Sequence, residues 1–219
     1  MISIVTGTYN RKYLLSGLIK NTVDASDRLE LVLVDGGSTD ETVEYIKDIN
    51  HPRIKLIEVG ERSSYPHFMN LGIRNASHEL IAQWNDDVLL KNDWEDVFAE
   101  IDGHDFYIFS WAVGDQENEW ILLETESKLV MNYGIYDKRV FREIGMYNPT
   151  YSYYYADADM SYRAKAFGYK HKSLMNINVI SILGIPKSAV PLPSDINIYM
   201  NLRQLYDKKK LPSGIERLI

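Results

Sequence analysis

The N-terminal part of the chain alternates short apolar runs with segments of helical periodicity, and this alternation restricts the fold more than any other feature. The predicted strands cover residues 3–6, 29–34, 54–59 and 80–84. The predicted helices cover residues 13–22 and 66–76, and a third follows Ser38 and Glu41, whose spacing predicts a capping box. Strands that alternate with helices predict an α/β fold with a mostly parallel central sheet and helices on both faces.

The second half of the chain is less regular, but no linker, internal repeat or low-complexity segment separates it from the first half. Strands are predicted over residues 106–112 and 120–124, flanking a loop over residues 114–118. Helices are predicted over residues 138–144, 160–167 and 196–209, and Gly145 and Gly168 end the first two. We therefore predict one domain over residues 1–219.

Composition argues against several classes of function. The formal net charge is −7 and the longest basic cluster is residues 208–210, whereas nucleic-acid binding needs a basic face. The chain has no cysteine, which excludes disulfides and thiolate metal sites, and its five histidines lack zinc-site spacing. There is no leader pattern and no apolar run of membrane-spanning length. These features predict a cytoplasmic protein without a transmembrane segment and leave contact with a membrane surface open.

Polar clusters follow three of the predicted strands, at residues 7–10, 35–38 and 85–87. Because parallel α/β sheets bind ligands at the carboxyl ends of their strands, we expect the three clusters to meet in one crevice. The carboxylates of Asp86 and Asp87 suit a hard divalent cation that bridges phosphate oxygens. The alternative is that this triplet only forms a strand-to-helix turn, where Asx residues are common.

The first two clusters carry features that suit a nucleotide base. The Asp35 carboxylate is able to accept a hydrogen bond from a pyrimidine imide, and Gly36 and Gly37 let a ligand approach the backbone. The alternative for Asp35 is an Asp-Gly turn that leads into a helix. Tyr9, beside Thr8, offers a stacking face, although a tyrosine at a strand end is also a common packing residue.

Two aspartates, Asp157 and Asp159, precede the predicted helix over residues 160–167. One interpretation is that one of them caps this helix and that Asp159 pairs with Arg163 one turn on. The functional interpretation is that Asp157 accepts a proton from an acceptor hydroxyl. Tyrosine rings in the loop before them suit sugar faces, but packing explains most of them. These are Tyr151, Tyr153, Tyr154 and Tyr155.

Taken in order, these motifs resemble those of family 2 glycosyltransferases with the A-type fold, over roughly the first 180 residues. The resemblance rests on residues 4–10, 34–40, 70–76, 84–87 and 155–163, followed by Gly168 and Tyr169. Trp94 is placed as in the rhamnosyltransferase-like branch of the family. Each motif is weak alone, and their common order makes the resemblance specific.

The resemblance implies an inverting reaction that moves a sugar from a nucleoside-diphosphate donor, UDP- or dTDP-linked, to a hydroxyl of a glycan or another acceptor. It assigns Asp157 as the general base and Asp87 as the ligand of Mn²⁺ or Mg²⁺, which neutralises charge on the departing diphosphate. Asn85 is placed near the ribose or the diphosphate. The residues assigned to the donor are Thr8, Tyr9, Asp35, Asn70, Asn85 and Asp86.

The resemblance also divides the predicted domain by function. Residues 1–100 form a nucleotide-sugar-binding half, residues 101–185 an acceptor and catalytic half, and residues 186–219 a C-terminal extension with a helix. Acceptor contacts are expected around the tyrosine loop and in the segment after Ile185. The sequence leaves open whether the terminal helix forms a homodimer.

Three departures from the family pattern keep a second hypothesis open, a catalytically impaired relative that still binds nucleotide sugars. Ala156 replaces the glutamate before the base, residues 66–68 replace small residues beside the donor, and residues 178–182 lack the metal-binding histidine of many members. A sugar-nucleotide pyrophosphorylase is disfavoured because the first loop, residues 7–11, is not glycine-rich. A dinucleotide oxidoreductase is disfavoured because no Gly-x-Gly-x-x-Gly follows the first strand.

Overall fold

The structure, a computed structural model, describes residues 1–114, 121–124, 129–152, 154–183 and 193–219. Its strands are β1 (Ile2–Thr8), β2 (Leu29–Asp35), β3 (Ile54–Glu58), β4 (Leu80–Gln83), β5 (Val88–Leu90), β6 (Phe106–Val113), β7 (Leu123–Glu124), β8 (Leu129–Val130), β9 (Gly134–Asp137) and β10 (His171–Ser181). Its helices are α1 (Lys12–Asn21), α2 (Thr42–Ile49), α3 (Tyr65–Asn75), α4 (Trp94–Glu100), α5 (Lys138–Ile144), α6 (Ala156–Phe167) and α7 (Pro193–Asp207).

Eight of the described strands form one sheet, in the order β3-β2-β1-β4-β9-β6-β10-β5. Strand β1 pairs in parallel with β2 and β4, β2 with β3, and β6 with β10. Strand β9 runs antiparallel between β4 and β6, and β5 runs antiparallel beside β10. The predicted α/β fold with a mostly parallel sheet is confirmed. The register sets Thr8 opposite Asp35 and Val5 opposite Gln83, so these strands end at one edge.

Helices cover both faces of this sheet because its strands are apolar on both sides. One buried cluster contains Ile4 of β1 with Leu18 of α1 and Trp94 of α4. The second contains Val5 of β1 with Met69 of α3, together with residues of α5 and α6. Successive residues of β1 thus serve opposite faces, as expected for a strand buried on both sides.

Helix α3 lies close against β1 because Gly72 faces the sheet. A methyl group on Gly72 would lie 2.3 Å from Cγ1 of Val5 and 3.3 Å from Cγ2 of Val34, and the first distance is a steric overlap. Packing therefore explains the glycine in the motif at residues 70–76. The close contact also sets the first turn of α3, with Tyr65 and Phe68, beside the carboxyl end of β1.

The predicted capping box of the second helix is wrong. Helix α2 begins at Thr42, and Glu41 precedes it with a φ of 65° and makes no side-chain cap hydrogen bond. The Ser38 hydroxyl instead donates to the Asp35 carboxylate within the turn that follows β2. Asp40 accepts from the amide of Thr42 at 3.2 Å and satisfies the helix start.

Helix α6 begins earlier than predicted, so neither of the two aspartates in its first turn caps it. The residue before the helix is Tyr155, which has a φ of 67° and makes no side-chain cap hydrogen bond. Asp157 and Asp159 both lie inside the first turn. The predicted helix ends at Gly145 and Gly168 are confirmed.

Other predicted boundaries differ by a few residues. Five described elements have no counterpart in the sequence prediction, namely the strands β5, β8, β9 and β10 and the helix α4. A capping box of Asp93 and Asp96 begins α4. Helix α7 begins at Pro193, which belongs to the helix rather than preceding it. Trp120, Tyr153, loop residues 115–118 and segment 184–192 lie outside the described residues. No described helix has the length and apolar character needed to cross a membrane.

Glu30 joins β1, β2 and the segment before β4 in a buried hydrogen-bond network. Its carboxylate accepts from Ser3 Oγ at 2.6 Å and from the amide of Ser77 at 2.8 Å, and Lys55 Nζ lies 2.9 Å away. Burial raises the pKa of Glu30, but these hydrogen bonds outweigh burial and lower the pKa from 4.5 to about 2. The ionised carboxylate therefore stabilises the fold above pH 4.5.

We expect Glu30→Gln to lower the free energy of unfolding by about 1–3 kcal/mol at pH 7, because buried donors lose a charged acceptor. This difference should shrink as the pH falls from 4.5 towards 2, where wild-type Glu30 becomes protonated. Urea denaturation across this range measures the difference. Glu95→Gln is the matched control, since its ion pair with Arg28 is exposed. Equal stability of Glu30→Gln and wild type at pH 7 would contradict this role.

Candidate active site

The three polar clusters meet at the carboxyl edge of the sheet. The Thr8 hydroxyl donates to Asp86 Oδ2 at 2.9 Å, which joins the ends of β1 and β4. The amide of Gly36 donates to the carbonyl oxygen of Thr8 at 2.9 Å, which joins the ends of β1 and β2. The chain therefore brings residues from three separate strand ends into direct contact, as the strand order requires.

A first cavity of about 430 Å³ opens beside the end of β1. Tyr9 is 37% exposed, and the Arg62 guanidinium lies 5.3 Å from the centre of its ring. Phe68 forms part of the opposite lining, and its ring lies 3.4 Å from where a methyl group on Gly7 would sit. Flat rings with a nearby cation suit an aromatic, negatively charged ligand.

A second cavity of about 510 Å³ lies next to the first. The two share Gly7, Arg11, Tyr65, Asn85 and Asp86 as lining residues. The second is further lined by Gln83, Asp87, Trp111, Asn132, Tyr133, Tyr154, Asp157, Ser181 and Leu183. Asn85 and Asp86 therefore lie where the two cavities adjoin, and Asp87 faces the second cavity.

The two aspartates of the triplet have different environments. Burial raises the pKa of Asp86 to about 6, against the opposing effects of the Thr8 hydrogen bond and the Arg11 charge. Asp87 instead accepts a hydrogen bond from Ser181 Oγ of β10 at 2.6 Å. Ser181 belongs to the segment in which many family members carry a histidine. Asn85, the third member, donates to the Tyr133 hydroxyl at 3.2 Å.

These side chains fit a divalent cation that completes its coordination with a phosphate ligand. Among the residues that the structure describes, no group of three or more His, Cys, Asp or Glu side chains converges to hold a metal ion. Asp87 lines the second cavity and Asp86 lines both. One or two carboxylates with diphosphate oxygens and water form a common Mg²⁺ or Mn²⁺ site.

Two of the residues assigned to the donor by sequence do not line either cavity. The Asp35 carboxylate accepts from the amides of Gly37 at 2.8 Å and Ser38 at 3.0 Å, and it is 1% exposed. Asn70 donates to the carbonyl of Tyr147 at 2.8 Å and accepts from its amide at 2.9 Å. In this structure Asp35 shapes the turn after β2, and Asn70 fastens α3 to the segment after α5.

Asp157 lies in the first turn of α6 and lines the second cavity. Burial raises the pKa of its carboxyl above 3.8, because removal from water disfavours the charged form. The amide of Ala158 opposes this effect by donating to Asp157 Oδ1 at 2.8 Å. Asp157 and Asp87 both act on the buried Tyr133, whose pKa is raised by burial first and by these charges next.

Asp159 has a structural environment. It is fully buried and pairs with Arg163 across 3.9 Å, which confirms the pairing that their spacing predicts. The hydroxyls of Tyr206 and Tyr151 donate to Asp159 Oδ1 at 2.7 Å and 3.2 Å. Tyr206 belongs to α7, so helix α6 and the last described helix share this buried cluster.

Of the three described tyrosines in the loop at residues 151–155, two pack against other residues and one lines the second cavity. Tyr151 is buried, and the ring of Tyr155 packs on that of Tyr199 with centroids 5.2 Å apart. Packing is confirmed for these two, and Tyr153 lies outside the described residues. Tyr154 lines the second cavity with Asp157.

Sequence reasoning missed several lining residues. Arg11 and Tyr65 line both cavities, and Trp111 and Asn132 line the second. Arg11 directly follows the first polar cluster, so its position after β1 was the available signal. No local pattern marks Trp111 or Asn132, because only the sheet order brings them to Asp157.

The mixed α/β sheet and the carboxylate-lined crevice at its edge define a transferase of the A-type fold. Residues 3–163 match the family model of Glycosyl transferase family 2, and the chain belongs to this family. An uncharacterized glycosyltransferase of Haemophilus influenzae is 30% identical over 96 residues, which cover 42% of this chain and 38% of that protein. The chain thus matches well under two thirds of this relative's length.

Two solved structures share the fold. S. aureus TarS 1–349 in complex with UDP-GlcNAc aligns with a TM-score of 0.72 and 19% identity, covering 94% of this chain and 66% of that chain. Mannosyltransferase PcManGT from Pyrobaculum calidifontis, in complex with GDP-Man and Mn²⁺, aligns with a TM-score of 0.64 and 16% identity. That alignment covers 86% of this chain and 58% of that chain. At these identities the similarity shows the fold alone.

Proposed function

We propose that this protein is an inverting glycosyltransferase that moves a sugar from a UDP- or dTDP-linked donor to an acceptor hydroxyl. The observation that carries the proposal is that Asn85 and Asp86 lie in the lining shared by two adjoining cavities. Tyr9 and Phe68 line the first cavity, and Asp87 and Asp157 line the second. Family membership supports this activity. The nucleotide sugars bound to PcManGT and TarS, GDP-Man and UDP-GlcNAc, support the donor class.

The first cavity would take the nucleoside. The exposed face of Tyr9 stacks with the base, and Arg62 adds a cation to this wall. Thr8 and Asn85 line the passage towards the second cavity and face the ribose or the diphosphate. Asp35 contributes by fixing the turn that follows β2. A contact from Asp35 to the base would use a carboxylate oxygen that already accepts hydrogen bonds from the amides of Gly37 and Ser38.

Asp87, with Asp86 beside it, would hold Mn²⁺ or Mg²⁺ against the donor diphosphate. When bound, the cation neutralises charge on the leaving diphosphate. Ser181 holds the Asp87 carboxylate from β10 and so fixes its orientation at the cavity wall. Arg11, which lines both cavities, supplies further positive charge to the same region.

Asp157 would act as the general base in the second cavity. Its carboxylate takes the proton of the acceptor hydroxyl, and the acceptor oxygen forms a bond to the anomeric carbon. The bond from that carbon to the diphosphate oxygen breaks, and its electron pair leaves with the diphosphate. Attack opposite the leaving group inverts the configuration. The raised pKa of Asp157 makes the carboxylate a stronger base.

Finer assignments remain predictions. These are the rhamnosyltransferase-like branch, suggested by Trp94, the cytoplasmic location, peripheral membrane contact and a homodimer. In the structure Trp94 is 3% exposed, and its indole nitrogen donates to the carbonyl of Asn21 at 2.7 Å. The acceptor is a glycan or another hydroxyl-bearing molecule.

A thermal-shift panel tests the donor site. We expect UDP or dTDP with Mn²⁺ to raise Tm by about 5–10 °C at 100 times Kd, and GDP to raise it less. Chelation of the metal with EDTA should remove most of the shift. Tyr9→Ala should weaken the nucleotide effect. Met175→Ala should not, because Met175 is a 63% exposed residue of β10 that lines neither cavity. A flat response to every nucleoside diphosphate would overturn the proposed function.

A further inference from the structure

The amide of Asn132 lies between Trp111 and Asp157, and its orientation is fixed by chemistry. An indole N–H donates hydrogen bonds and accepts none, so the group facing it must be an acceptor. Asn132 therefore turns its amide oxygen to Trp111 Nε1, at 3.0 Å. Its amide nitrogen then faces Asp157 Oδ2 at 2.9 Å and donates to it.

The backbone of Asn132 is also held by a hydrogen bond from a residue of β4. Gln83, buried at the end of β4, donates from Nε2 to the carbonyl oxygens of Met131 at 2.9 Å and Asn132 at 2.7 Å. The Tyr147 hydroxyl donates to Gln83 Oε1 and holds this amide in turn. The position and the orientation of the Asn132 side chain are thus both determined before any substrate binds.

We propose that Asn132 is the positioning residue of the general base, aimed at Asp157 by Trp111; this inference rests on the proposed function. Asp157 has one oxygen bonded by the amide of Ala158 and the other by Asn132. With both oxygens fixed, the carboxylate plane has one orientation towards the cavity. Ala156, which provides no side-chain hydrogen bond, leaves this task to a residue from a different part of the chain.

In the described part of the chain, the donors to the Asp157 carboxylate are the Ala158 amide and Asn132. The cavity that Asp157 lines also contains the charged residues Arg11, Asp86 and Asp87. Five described tyrosines from α3, β9, α7 and the segments beside them sense the charge of Asp157, and because burial raises their pKa they are neutral at neutral pH. They are Tyr65, Tyr133, Tyr136, Tyr147 and Tyr199. A donated hydrogen bond from Asn132 favours the ionised carboxylate, which is the form that accepts a proton.

Asn132→Asp is the sharpest test, because it keeps the shape and the acceptor for Trp111 but turns an oxygen towards Asp157. We expect kcat to fall about 10- to 100-fold, the loss typical of one hydrogen bond to a charged group, with the donor KM within about twofold. The acidic limb of the kcat/KM profile should move to higher pH. Trp111→Phe, which frees the amide to rotate, should give a smaller fall of the same kind.

Asn92→Asp is the matched control, because it also removes an amide donor, here to the carbonyl of Asn176 at 3.0 Å, and Asn92 lines neither cavity of the site. It should leave kcat and the pH profile unchanged. Asn132→Leu provides a second variant that adds no charge, and circular dichroism confirms folding of each protein. A fall in stability with wild-type kcat and pH profile in the folded variants would overturn the positioning role.

Asp157→Asn assayed in parallel separates the two proposals. If Asp157→Asn keeps wild-type turnover, the proposed function fails. If Asp157→Asn loses turnover while Asn132→Asp, Asn132→Leu and Trp111→Phe keep it, the proposed function stands and the positioning role fails. Loss in both Asp157→Asn and the folded Asn132 variants, with unchanged donor KM, supports both.

Discussion

Asp157→Asn should lower the turnover number by about 10² to 10⁴-fold, the usual contribution of a positioned general base. Asparagine retains the size of the side chain and an oxygen for the amide of Ala158, so the fold and the donor site are expected to survive. Radiolabelled sugar transfer, or slow donor hydrolysis where no acceptor is known, measures the loss. Nucleotide-induced Tm shifts equal to wild type provide the control.

The pH profile gives the same prediction an independent readout. Burial raises the pKa of Asp157 above 3.8, and only the ionised carboxylate accepts a proton. Activity should therefore fall as the pH drops through this raised pKa. The Asp157→Asn protein should lack this limb. Wild-type hydrolysis no faster than that of Asp157→Asn, with tight nucleotide binding, would favour the impaired nucleotide-sugar-binding relative.

Asp87→Asn should remove most of the metal-dependent binding of the nucleoside diphosphate and lower turnover by about 10² to 10³-fold. The amide oxygen is a weaker ligand than a carboxylate, and the negative charge that attracts the cation is lost. Isothermal titration of UDP with and without Mn²⁺ measures the effect. The affinity without metal should stay close to that of wild type.

Two controls make the assignment of the metal ligand specific. Ser181→Ala keeps the Asp87 carboxylate and removes the hydroxyl that orients it, so Mn²⁺-dependent binding should weaken less than in Asp87→Asn. Asp86→Asn removes a carboxylate that already accepts from Thr8, and the response to Mn²⁺ should fall less than in Asp87→Asn. A full metal response in Asp87→Asn together with its loss in Asp86→Asn would reassign the ligand to Asp86.

The parts of the fold that the sequence predicts are those encoded by local periodicity. The strands that end at Thr8, at Asp35 and just before Asn85 are predominantly apolar, and their shared edge follows from parallel pairing. The capping box at Ser38 and Glu41 fails because two residues at the correct spacing say nothing about the backbone between them. In the turn after β2, the Ser38 hydroxyl donates to the Asp35 carboxylate, in agreement with the interpretation of Asp35 as part of an Asp-Gly turn.

The parts of the site that the sequence does not predict depend on contacts between distant segments. Trp111, Asn132 and Asp157 come from β6, the segment between β8 and β9, and α6, and no spacing rule connects them. Ser181 was not predicted as a site residue because the resemblance implies a histidine ligand in its segment, residues 178–182. The motif at residues 70–76 assigns Asn70 to the donor. In the structure its amide nitrogen donates to the backbone carbonyl of Tyr147, and its amide oxygen accepts from the backbone amide of Tyr147.

The buried cluster of Asp159, Arg163 and Tyr206 has a consequence for work with shortened forms of this protein. The hydroxyl of Tyr206, a residue of α7, donates to Asp159, and the Tyr206 side chain is fully buried. Removal of the residues from 193 onward would expose the Asp159–Arg163 pair to water. Asp159 is only two residues after Asp157 in the same helix. Loss of activity in such a truncated chain would therefore be explained by damage to α6, which carries the proposed base. It could not be taken as evidence that the C-terminus binds the acceptor.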